Sequence, residues 1–225
     1  MSNPKYCNIK ISIFFVRVIS NNLKILFIKN KGSNFWELPN TVLTENEDFS
    51  VACKRAASLL IGQSYTEDIE YKLIDNILCN GLLETNYLSL NKKFNHNFLY
   101  NKNLKDLTWF CDKELTENNI LNKNILNNIK FNKISNFVTE FIRSDFANVR
   151  YFIKNKFTLS ELQKTFINLG INKKQFYEKR NFRKWLFVQN KDNLFIEETN
   201  LMQHGNHRPA KLYKTLDRIV KYYQN

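Results

Sequence analysis

Metal ligands and disulfide partners are scarce in this chain. Its 225 residues include four cysteines, Cys7, Cys53, Cys79 and Cys111, and three histidines. No two cysteines stand at the short spacing of a zinc site or a redox motif. They are therefore expected to be reduced, mostly buried thiols of a reducing compartment. His204 and His207 share one short stretch but have no cysteine or carboxylate close by, so they read as loop residues. No metal and no cofactor is expected. Long apolar runs are also missing. A membrane span needs about 18–20 uninterrupted apolar residues, whereas ISIFFVRVIS at 11–20 is short and contains Arg17. It also lacks a small-residue cleavage site, so it reads as a buried strand and not as a signal peptide. The expectation is a cytoplasmic protein with no membrane partner.

Core material is plentiful. The hydrophobic fraction is 43%, with 19 Phe, which argues against global disorder. Acidic residues are outnumbered, 21 against 34 Lys and Arg, for a net charge of +13. Lys and Asn are abundant throughout, so part of this basicity reflects general composition. Its distribution is more informative. Residues 1–150 hold 19 Lys and Arg against 15 Asp and Glu, a net +4, while residues 151–225 hold 15 against 6, a net +9. Charge concentrated in the shorter part is the footprint of a polyanion-binding domain.

The first part reads as α/β. Ile9, Ile11 and Ile13 alternate with Asn8, Lys10 and Ser12, the period of a strand with one buried face. A turn at Asn21-Asn22 leads to a partner strand, KILFIK at 24–29. A loop with Glu45, Glu47 and Asp48 precedes a helix over about 50–61, and Gly62 is its expected stop. Further strands are expected near 70–79, near 85–90 and at 107–111. Residues 118–143, free of Gly and Pro and apolar at helical intervals, predict a long linking helix.

The C-terminal part has a different order. Thr158-Leu159-Ser160-Glu161 fits a capping box opening the helix LSELQKTFINL, which ends at Gly170. A second helix is predicted over KKQFYEKRNFRKWLF at 173–187. Two strands, LFIEE at 194–198 and AKLYK at 210–214, flank the polar loop TNLMQHGNHR. Helix, turn, basic helix and hairpin in this order make a winged helix-turn-helix. On a continuous helix, Phe182, Trp185 and Leu186 share one side. Lys173, Tyr177, Arg180 and Lys184 follow one another at helical spacing on another, with Arg183 alongside and Lys174 adjacent. One face would pack and the other would offer cations to a major groove, where Arg suits guanine and Lys more often meets phosphate. In the hairpin, His207, Arg208 and Lys211 complete the candidate DNA-binding set, with Pro209 stiffening the approach to the second strand. A solvated basic helix and a loop with incidental charge are the bland alternatives.

The segments FTLSELQ at 157–163, NFRKWL at 181–186 and HRPAKLYK at 207–214 resemble the winged helix of the Nudix-related transcriptional regulators, the NrtR family. The first part is similar to the Nudix fold that precedes it there. WELP at 36–39 stands where Nudix proteins have Trp-x-Leu-Pro-Gly-Gly. Aligned on Arg55 and Gly62, the Nudix box keeps Glu47 and Arg55 but carries Ala56, Leu59 and Leu60 in place of its three helix carboxylates. Those carboxylates hold magnesium against a diphosphate, and alanine and leucine offer magnesium no oxygen. The resemblance thus implies a degenerate Nudix-like mixed-sheet domain over 1–145, including the linking helix, and a winged helix domain over 146–225. It implies no enzyme, a homodimer, a double-stranded DNA operator, and a nucleotide-type effector related to NAD, such as ADP-ribose. Trp36, Glu37 and Arg55 are the candidate ligand contacts. The alternatives are that Trp36 only packs and that Arg55 only pairs with Glu47. Asn40 and Thr41 replace the two glycines of the loop, which would remodel the pocket.

Two other functions remain open at this level. A Nudix-type hydrolase could use unconventional metal ligands, for which Glu45, Glu47 and Asp48 are the nearby carboxylates. Alternatively, the first domain could serve only dimerisation or partner binding.

Overall fold

The structure is a computed structural model. It describes residues 6–20, 22–61, 69–91, 104–117, 131–171, 174–192, 195–204 and 209–216. Contacts divide the chain into two units, one of residues 1–19 with 23–134, the other of 135–225 with the short stretch 20–22.

The first unit is a mixed sheet with a helix on one face. Its strands are β1 (Tyr6–Ile19), β2 (Asn22–Asn30), β3 (Asn40–Thr44), β4 (Glu70–Cys79), β5 (Leu82–Leu90) and β6 (Leu104–Phe110). Helix α1 (Phe49–Ile61) lies between β3 and β4, and the short α2 (Asp112–Glu117) follows β6. The sheet order is β4-β5-β1-β2-β6, with β3 also paired to β1. Strands β1 and β5 run parallel, Ile11 opposite Thr85 and Ile13 opposite Tyr87, while β3 and β4 join antiparallel. The alternation in β1 places Ile11, Ile13 and Phe15 in one buried cluster with Ala52, Cys53, Ala56, Ala57 and Leu60 of α1. A sheet face that is apolar at every second residue must be covered, and a helix with an Ala-rich inner side can approach it closely. Cys53 is a free thiol in this core, and burial pushes its titration up to about 12.

Helix α3 (Phe131–Ser144) follows. Of the linking helix expected over 118–143, the part before Phe131 falls outside the described residues, as does the expected stop at Gly62. Val138 and Ile142 of α3 are fully buried.

The second unit contains a 3-10 turn (Phe146–Tyr151), α4 (Leu159–Asn168), a 3-10 turn (Lys174–Phe176), α5 (Lys179–Asp192), β7 (Ile196–Gln203) and β8 (Ala210–Thr215). The capping box is formed. Thr158 Oγ1 accepts from the Glu161 amide at 3.2 Å, and a Glu161 carboxylate oxygen accepts from the Thr158 amide at 2.8 Å. The chain leaves α4 through Gly170, whose φ of +77° suits glycine. A Cβ there would also lie 2.6 Å from Thr139 Oγ1. Strands β7 and β8 pair antiparallel, and Phe157 adds a bridge to Tyr213 through two backbone hydrogen bonds of 3.0 and 2.8 Å. The polar loop expected from Thr199 onward is shorter than its composition suggests. Residues 199–203 extend β7, because Thr199 Oγ1 donates to the Leu212 carbonyl at 2.8 Å and Met202 and Gln203 sit opposite Lys211 and Ala210 in the ladder.

Candidate nucleic-acid interface and ligand cavity

Aromatic packing decides which face of α5 is exposed. Phe182 and Leu186 are buried beneath the helix, and Phe166 of α4 lies in T-shaped contact with the buried Phe176. The Trp185 ring sits 4.4 Å from that of Phe176 and 5.7 Å from that of Phe166. Tilted and edge-to-face pairs of this kind add to the energy of burial itself, and together they lock the rotation of α5 about its axis.

One expectation about this helix is corrected. It does not begin at 173 but at Lys179. The Phe176 carbonyl accepts from the Gln163 amide, and the Phe176 ring fills the core, so residues 174–176 form a 3-10 turn and Tyr177 lies in the bend after it. Lys174 and Tyr177 are exposed, but they do not share a helical stripe with Arg180 and Lys184. Lys173 lies outside the described residues, as do His207 and Arg208.

The outer face of α5 carries Lys179, Arg180, Arg183, Lys184, Phe187, Val188 and Lys191, all exposed. Phe187 and Val188 continue the stripe one turn beyond Arg183 and Lys184. They were not among the residues expected from sequence, although the same spacing pointed to them. Among the described residues, Lys154, Lys211 and Lys214 pair with Glu161, Glu198 and Glu197. Among the described residues no carboxylate is paired with Arg180, Arg183, Lys184 or Lys191 in that way. A row of uncompensated cations on one helix face creates a field that attracts a polyanion. Lys211 stands on β8, half-exposed, and its pair with Glu198 is of the solvent-exposed type that contributes little and exchanges readily.

In the first unit, a cavity of about 390 Å³ is lined by Ile28, Asn30, Lys31, Pro39, Asn40, Ala56, Leu59, Leu60 and Leu104. Ala56, Leu59 and Leu60 contribute to it from α1. None of Trp36, Glu37 and Arg55 lines it. Glu37 acts one step behind. Its carboxylate accepts from the side-chain amides of Asn30 and, at 3.0 Å, Asn40, and so orients two cavity residues. Trp36 meets Phe110 edge-on at 5.4 Å, with the Lys29 ammonium 5.8 Å from its ring. Arg55 donates to both carboxylate oxygens of Glu47, at 2.9 and 2.7 Å, to the Val42 carbonyl at 2.9 Å and to the Thr41 hydroxyl. The guanidinium hydrogen bonds hold the Glu47 carboxyl at about 2, far below its ordinary value. Asp48 accepts from the Val51 amide at 2.8 Å at the start of α1. Among the described residues no three His, Cys, Asp or Glu side chains converge as a metal site requires. No described helix is long and apolar enough to cross a membrane.

Residues 149–215 match the family model of the NrtR DNA-binding winged helix domain. No curated protein matches the chain. Among solved structures, the fold is similar to Shewanella oneidensis NrtR complexed with a 27mer DNA, at 15% identity and a TM-score of 0.63, covering 93% of this chain and 94% of that one. A second crystal structure of Shewanella oneidensis NrtR gives 14% identity and a TM-score of 0.61, covering 92% and 94%. A MutT/nudix family protein from Enterococcus faecalis gives 16% identity and a TM-score of 0.61, covering 96% and 88%. The chain therefore joins a mixed α/β domain of Nudix-like fold to a winged helix domain that matches the NrtR DNA-binding model over residues 149–215.

Proposed function

We propose that the protein is a sequence-specific DNA-binding transcription regulator whose Nudix-like domain is catalytically inactive and senses an NAD-related metabolite such as ADP-ribose. The observation that carries this reading is the unneutralised basic face of α5, held outward by the aromatic core of an NrtR-type winged helix. The DNA-contacting set is Lys173, Lys174, Tyr177, Arg180, Arg183, Lys184, His207, Arg208 and Lys211. The protein acts as a homodimer on a double-stranded operator with two half-sites, in the cytoplasm at the nucleoid. Its functional division falls between residues 1–145 and 146–225.

Inactivity follows from the side chains of α1. Nudix hydrolysis places magnesium on helix carboxylates, and Ala56, Leu59 and Leu60 supply no hard oxygen ligand. The neighbouring carboxylates have other roles, since Glu47 is gripped by Arg55 and Asp48 caps a backbone amide. The Ala and Leu side chains line the cavity together with two oriented amides and Lys31, a chemistry for binding and not for hydrolysis. Glu37 supports this site from behind its lining, through Asn30 and Asn40, and Trp36 and Arg55 are proposed with it as ligand contacts.

The test is selection of fragmented genomic DNA by the purified protein at roughly physiological salt, where weak non-specific binding fades. Recovery of a shared, two-fold symmetric site establishes the regulator, and recovery of no preferred sequence refutes it. A melting temperature raised by ADP-ribose would support the sensor, because a ligand bound only to native protein stabilises it. An unchanged melting temperature would leave a domain that serves dimerisation or partner binding.

A further inference from the structure

We infer that Phe187 on the outer face of α5 reads the methyl group of a thymine in the major groove, beside the base read by Arg183. The inference rests on the DNA-binding reading above. Helix α5 completes its core contacts with Phe182 and Leu186, 1% and 0% exposed, yet Phe187 and Val188 remain 43% and 56% exposed. They stand between Arg183 and Lys184 on one side and Lys191 on the other, along a single helical stripe. A large apolar side chain in the middle of a cationic row calls for a partner that is polyanionic and locally apolar at once. The major groove of a duplex is such a partner. Phosphates line its edges, and each thymine projects a methyl group that apolar side chains contact directly.

The geometry links Phe187 to Arg183. The Arg183 guanidinium carbon lies 5.5 Å from the centre of the Phe187 ring. Stacking of this kind narrows the orientations of the guanidinium plane and leaves its fork of donors beside the ring. Four residues of helix rise about 6 Å, and successive base pairs are about 3.4 Å apart. The thymine should therefore lie within two base pairs of the guanine that Arg183 contacts. Val188, on the neighbouring side of the stripe, extends the apolar surface.

The experiment uses the full-length protein and the duplex recovered by genomic selection. Each thymine of one half-site is replaced in turn by deoxyuridine, which removes only the methyl group, and affinity is read by fluorescence anisotropy. For the wild type, one replacement should weaken binding about fourfold, the value of burying one methyl-sized group. Phe187→Ala should bind the unmodified duplex more weakly and show no further loss on that replacement. Phe187→Leu, still apolar, should retain part of the discrimination. Equal binding of thymine and uracil by the wild type at every half-site position overturns the inference, and needs no variant to fold. Full discrimination retained by Phe187→Ala overturns it as well. Failure to recover any preferred duplex would instead refute sequence-specific binding itself, before any uracil is introduced.

Discussion

Arg55 holds Glu47 from two directions, Nε to one carboxylate oxygen at 2.9 Å and Nη2 to the other at 2.7 Å. The same guanidinium reaches the Val42 carbonyl and the Thr41 hydroxyl, so one side chain ties β3, the loop after it and α1 together. Such a fork is planar and always charged, which suits it to holding a carboxylate in fixed geometry.

A pH dependence follows from this pair. The Glu47 carboxyl titrates at about 2 in the folded protein and near 4.5 ordinarily. A depressed folded-state value stabilises the protein above the unfolded value, and that contribution is lost as pH falls from about 4.5 towards 2. The first unit should therefore lose stability in that window. Arg55→Ala should move the Glu47 titration, followed by carbon-detected NMR, back towards 4.5. A Glu47 titration unaltered by the substitution would show that the pair does not set it.

Gly170→Ala should destabilise the winged helix by about 1–3 kcal/mol, since a left-handed backbone conformation disfavours a side chain. The close approach of Thr139 Oγ1, 2.6 Å from the added carbon, adds to that cost. Hydrogen exchange of the α4 amides should accelerate accordingly, and unchanged exchange would contradict the packing described for this turn.

Removing the helix cap is expected to have a smaller, local effect. Thr158→Ala should cost about 1 kcal/mol, the usual value for a hydroxyl N-cap. Burial pushes the Glu161 carboxyl upward, but Lys154 and the Thr158 amide and hydroxyl together outweigh it and hold its titration below the ordinary value. The variant should therefore fray α4 from its N-terminal end, read as faster exchange at its first turns. Uniform acceleration along the whole domain would argue instead for a global effect.

Contacts with bases and with phosphates should separate on the operator. Arg183→Ala should weaken specific binding by about 1–3 kcal/mol and relax preference at one position if Arg183 reads a base. Lys184→Ala should weaken binding to all sequences alike and lower the steepness of the salt dependence by about one unit. An unaltered sequence preference in the Arg183 variant would remove Arg183 from base readout.

Local order was legible in the chain to the extent that it depends on neighbours. The alternation of Ile9, Ile11 and Ile13, the helical spacing of Ala52, Cys53 and Ala56, and the Thr158–Glu161 box all involve residues within a few positions of each other. The elements appear where those patterns stand. The likeness to a Nudix domain followed by an NrtR-type winged helix was legible for a related reason. It rests on short contiguous segments, WELP and HRPAKLYK among them, which can be read without the fold.

Three features were decided by tertiary structure. The basic helix begins at Lys179 because Gln163, 13 residues before Phe176, captures its carbonyl and draws its ring into the core. Residues 199–203 became strand because β8 offers them a ladder, which overrides their polar composition. Glu37 serves the cavity through Asn30 and Asn40, a relation no spacing records. By itself the sequence determined the periodic faces, the caps and the concentration of charge, because these arise from interactions between near neighbours. The boundaries of α5 and the lining of the cavity were left to the fold. Each depends on a buried group finding its partner at long range, and burial makes an unmatched partner costly.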